Sequence, residues 1–197
     1  NDRLNFAAAG GTVTVSNVET ITGGAAADQL ILGSAAINVA IDLAGGADTV
    51  TLRDYLNTVS VANVETLTGG ASADAVTLTT QATGTTVDLG AGADRLVLGA
   101  FVNTVTISNV ETIVGAASSD TVVLGSRVTA ATIDLAGGSD TLTFGDFDNT
   151  ATVTNVETIV GGATNDAVVL GTTTTNATVD LGVGNDTLTL AAGGATL

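Results

Sequence analysis

The chain has 197 residues, a net charge of -16, 45% hydrophobic and 3% aromatic residues, and no Pro, Cys, Met, Trp or His. That hydrophobic share excludes a chain disordered for want of burial, and the absence of an apolar run near 20 residues excludes a helical membrane span. Twenty acidic against four basic residues make phosphate backbones and anionic lipid poor partners, so neither nucleic acid nor membrane insertion is expected.

From the first residues onward the chain reads as the interior of a repeat, and the stretch 1–197 is expected to be one solenoid array, a fragment of a longer protein. Asn-Val-Glu-Thr begins at Asn17, Asn63, Asn109 and Asn155, a constant step of 46 residues (63 − 17). Asp42, Asp88, Asp134 and Asp180 keep the same step. So do Tyr55, Phe101 and Phe147, which predicts a core role for these rings. A strict period without insertions is what stacked coils require, since each unit buries its apolar side against its neighbours.

Each period holds two similar halves, Val64 to Leu78 and Thr86 to Leu98, both reading strand, glycine turn, aspartate, strand. Apolar residues alternate with Thr, Asp and Ser, the period of half-buried strands. The fold predicted is all-β: a parallel β-solenoid (β-helix or β-roll) whose 46-residue period makes two coils of about 23 residues. One coil per period would stack Glu19, Glu65, Glu111 and Glu157 at strand spacing, where like charges repel; two coils separate them. About eight coils, roughly 40 Å in all, follow. Inward positions in one period are Val59, Val61, Val64, Leu67, Val76, Leu78, Val87, Leu89, Leu96 and Leu98.

The glycine turns end in aspartates at Asp28, Asp48, Asp74, Asp94, Asp120, Asp140, Asp166 and Asp186. Gly23-Gly24-Ala25-Ala26-Ala27-Asp28-Gln29-Leu30-Ile31 and Leu181-Gly182-Val183-Gly184-Asn185-Asp186-Thr187-Leu188-Thr189, the latter with leucine for the leading glycine, resemble the Gly-Gly-x-Gly-x-Asp nonapeptides of RTX, or haemolysin-type, repeat proteins. Here Ala26 stands where that family has its third glycine, and the motifs are spaced 20 and 26 residues apart (48 − 28, 74 − 48) instead of in tandem. The resemblance implies calcium held by those eight aspartates, and export by type I secretion to the cell surface or beyond. The residues themselves also admit a second use, each aspartate accepting backbone N–H bonds at its own turn. The asparagines of Asn-Val-Glu-Thr are expected to bond neighbouring backbone, and the glutamates to be solvated face charges.

Three functions fit such a rod. The first is an extracellular structural or adhesive scaffold (surface-layer, filament or adhesin stalk), its partners further copies or repeats joined end to end and cell-surface polysaccharide. The second is a β-helix enzyme acting on polysaccharide; against it, the acids outside the period, Asp54, Asp146 and Asp148, have no basic partner, and His, Cys and Lys nucleophiles or bases are missing. The third is ice binding by ranks such as Thr49/Thr51, Thr141/Thr143 and Thr187/Thr189; against it, Arg95/Val97 occupies the intervening repeat and a bulky arginine breaks the plane.

Overall fold

The computed structural model describes residues 1–6, 9–171 and 176–191. Among them every regular element is a short strand, and every pairing is parallel between one coil and the next. Successive strands alternate between two sheets, sheet I with eleven strands beginning at Arg3–Asn5 and sheet II with ten beginning at Gly11–Val15. The expected parallel β-solenoid is therefore present. At ordinary strand spacing eleven strands span about 48 Å.

The coil is shorter than expected. Paired residues lie 17 apart, as in Arg95 with Thr112, 20 apart, as in Thr112 with Thr132, or 21 apart before a bulge, as in Thr83 with Thr104, and no step is 23. Steps this short change how the repeat maps onto the fold. Thr20–Thr22 and Thr66–Gly70 are the third and eighth strands, so one 46-residue period advances five strands, or two and a half coils. Equivalent residues one period apart consequently fall on opposite sheets: Thr20 on sheet I, Thr66 on sheet II, Thr112 on sheet I and Thr158 on sheet II. Identical glutamates avoid one another by lying on opposite edges, and an edge repeats only after two periods.

The inward set stands as read from the alternation: Val59, Val61, Leu67, Val76, Val87, Leu89, Leu96 and Leu98 are sealed in a single core running the length of the stack, with Val64 and Leu78 nearly so. The period-46 rings do not join it. Tyr55, Phe101 and Phe147 are 40–43% exposed, because they sit at corners; the rings of Phe101 and Phe147 cover Gly99 and Gly145 instead. Phe144 is buried in the core, and Phe6 packs against it partly buried.

Two backbone devices make the corners tight. Asn17, Asn63, Asn109 and Asn155 all adopt φ between 52° and 56°, the left-handed region that asparagine tolerates better than most side chains. Gly69 approaches the backbone of Leu89 so closely that a Cβ would collide with its carbonyl oxygen.

Candidate functional site

The aspartates named from the sequence stand at strand starts, Asp28 and Asp74 as the first residue and the other six one residue ahead, with the same inward parity as the core: Asp28 precedes Leu30 and Leu32, and Asp74 precedes Val76 and Leu78. Asp28, Asp48, Asp74, Asp94, Asp120, Asp140 and Asp166 are only 1–2% exposed, while Asp186 is partly buried. They do not gather into one site. They form pairs one coil apart, Asp28 with Asp48 and Asp120 with Asp140 at the sheet II edge, Asp74 with Asp94 and Asp166 with Asp186 at the sheet I edge.

Within each pair the carboxylate of the later aspartate accepts the main-chain N–H of the earlier one. Asp28 donates to Asp48 at 2.7 Å, Asp74 to Asp94 at 2.6 Å, Asp120 to Asp140 at 2.7 Å and Asp166 to Asp186 at 2.9 Å. The glutamate of Asn-Val-Glu-Thr continues the run: Asp48, Asp94 and Asp140 donate their N–H to Oε2 of Glu65, Glu111 and Glu157 at 2.7–2.8 Å. These glutamates are hydrogen-bond acceptors of the stack and not merely solvated charges.

Three of the four runs, those of Asp74, Asp120 and Asp166, open on an asparagine that the sequence reading overlooked. Asn57, Asn103 and Asn149 are at most 1% exposed. Asn103 accepts the N–H of Ala82, donates Nδ2 to the carbonyls of Gly99 and Phe101, and gives both Nδ2 and its own N–H to Asp120 Oδ1. Asn57 repeats the arrangement toward Ala36 and Asp74, and Asn149 toward Val128 and Asp166. The signal was present, since these asparagines also recur every 46 residues (103 − 57).

The remaining acids are likewise occupied. Asp42, Asp88, Asp134 and Asp180 each accept the N–H two residues on, closing their own turns, and Asn63 and Asn109 donate Nδ2 to Asp42 and Asp88. Asp54 and Asp146, two periods apart (146 − 54 = 92), accept the N–H groups of Ala71 and Ala163, and Asp148 accepts that of Asn165.

Burial leaves the ladders electrostatically tense. Asp48, Asp74, Asp94 and Asp140 each keep a buried Oδ2 without a hydrogen-bond partner. Desolvation raises the pKa of all four and of Asp120, and the N–H bonds offset this only in part. For Asp94 and Asp140, with Glu111 and Glu157 adding repulsion, the value reaches about 6.

Two equivalent grooves interrupt the ladders just beyond the glutamates. One, of about 180 Å³, lies among Asn17, Glu19, Ser34 and Ala36. The other, of about 220 Å³, lies among Asn63, Glu65, Thr80 and Ala82. In the third repeat Val128 replaces that alanine.

The donor set does not fit the calcium sites implied by the nonapeptide resemblance. Calcium takes six to eight oxygens, whereas these carboxylates face the core with one oxygen committed to backbone N–H, and among the described residues no three acids are grouped to hold a metal. Nor is any helix among them long and apolar enough to cross a membrane. The class defined by fold and corners is a parallel β-solenoid repeat protein with buried side-chain ladders. No protein-family model, curated protein or solved structure matches the chain.

Proposed function

We propose that this segment is a structural rod, a spacer or stalk within an extracellular surface, filament or adhesin protein that reaches the outside by type I secretion. The observation that carries this reading is the use made of the polar residues. Nearly every carboxylate that a catalyst would expose is turned to backbone N–H groups of the same or the adjoining coil, so its chemistry is spent on holding coils together. Among the described residues the outermost strands of each sheet pair on one side only, and such an edge can add a strand of a further repeat or another copy. An acidic exterior keeps such rods apart sideways while they join lengthwise.

The test is a length series. Chains of two, four and eight repeats are placed between a cell-surface anchor and an epitope, and epitope height is measured. A spacer raises the epitope in proportion to repeat number. Height independent of repeat number, or turnover of acidic polysaccharide abolished by one aspartate substitution, overturns the proposal.

A further inference from the structure

We propose that the outer face of sheet II is an ice-binding surface, a function beyond that of a spacer. The sequence argument against it was the arginine rank between threonine ranks. The half-coil offset removes that argument for two of the three ranks: Thr49–Thr51 and Thr141–Thr143 are strands of sheet II, whereas Arg95–Val97 belongs to sheet I, as does the rank Thr187/Thr189.

Sheet II instead carries an unbroken file of six threonines on six neighbouring strands. Thr83 pairs with Thr104 across a bulge, followed in register by Thr121, Thr141, Thr158 and Thr178. Two residues along, a second file reads Thr106, Val123, Thr143 and Val160. Valine keeps threonine's branched shape, so the second file alternates hydroxyl and methyl without changing its relief. Outward positions on these six strands carry Asp88 on the first and Asp180 on the last, while the four strands between them carry no charge, although the chain as a whole is strongly acidic. Sheet I differs, with Asp42, Arg95 and Asp134 pointing outward.

The geometry supplies a two-dimensional net. Files repeat at about 4.8 Å along the axis, and alternate residues of one strand stand about 6.7 Å apart. A near-rectangular net of these dimensions approaches that of the oxygens on a prism face of ordinary ice. Hydroxyls at its nodes bond water, and the methyls beside them restrict that water to ordered positions. The threonine hydroxyls of the file make no hydrogen bond to described residues, which leaves them for water. From Thr104 to Thr178 the file keeps one register without a bulge, so neighbouring hydroxyls stand one strand spacing apart.

The experiment is ice-shaping microscopy with thermal-hysteresis measurement on this chain, on Thr141→Lys in the file, and on Thr132→Lys at an outward position of sheet I. Circular dichroism checks each fold, and Thr158→Lys replaces Thr141→Lys if the latter fails to fold. The expected result is faceted crystals and arrested growth with the unaltered chain and with Thr132→Lys, and loss of both with the file variant. Unshaped ice with the folded unaltered chain overturns the proposal, as does equal loss in both lysine variants. Sedimentation velocity covers the competing occupant: a dimer dissolved by Thr141→Lys assigns the face to a second copy and overturns ice binding.

Discussion

The carboxylate of Asp94 accepts the main-chain N–H of Asp74 at 2.6 Å, while the N–H of Asp94 itself is bonded to Glu111 at 2.8 Å. A single residue thus ties three successive coils, through its carboxylate on one side and its main-chain N–H on the other, at a position where the charged form is costly.

Stability should therefore rise on mild acidification. The folded pKa of Asp94 and Asp140 lies near 6, above the ordinary 3.8, so the native state binds more protons between those values. Stability is then fully favoured below about pH 4 for these groups and declines as pH rises through 6, by on the order of 1 kcal/mol per site. Urea midpoints should fall between pH 5 and pH 8, and the double variant Asp94→Asn, Asp140→Asn should flatten the slope. A midpoint that rises over that range contradicts the assignment.

Asn103→Ala should be among the most damaging single changes, costing about 3 kcal/mol, because it strips partners from Ala82, Gly99, Phe101 and Asp120 inside the core. Asn103→Asp should be tolerated better at pH 5 than at pH 8, since it sets another carboxylate against Asp120. Chemical denaturation at the two pH values measures both.

Ala82→Val should stabilise the fold by about 1 kcal/mol. It fills the groove of about 220 Å³ with the side chain that Val128 supplies in the third repeat. A lowered melting temperature would mean that the corner cannot accept the extra methyl groups.

Deleting 46 residues, for example 64–109, should leave a folded rod about 12 Å shorter in which everything downstream moves to the opposite sheet. Deleting 92 restores the side. A 23-residue deletion, harmless if a period were two equal coils, should disrupt the ladder. Distances between spin labels at Thr12 and Thr178 distinguish these outcomes.

Chelation of calcium should leave circular dichroism and melting unchanged, because the buried carboxylates are committed to backbone donors. A marked loss of stability in EGTA would restore the calcium reading taken from the nonapeptide resemblance.

Much of this protein was determined by its sequence alone. Strict recurrence of Asn17, Asn63, Asn109 and Asn155 specifies a stack, and the alternation around Val76, Leu78, Leu96 and Leu98 specifies which side chains form its interior, since burial obeys the pleat. What remained for tertiary structure was the number of coils in a period. That number depends on how many residues each corner consumes, and corners of 17-, 20- and 21-residue coils differ through left-handed asparagines, bulges and the buried Asn57 and Asn103 bonds, none of which changes the spacing of the letters. Half a coil left over per period is invisible in one dimension. In three it sends Arg95 to one face and Thr141 to the other.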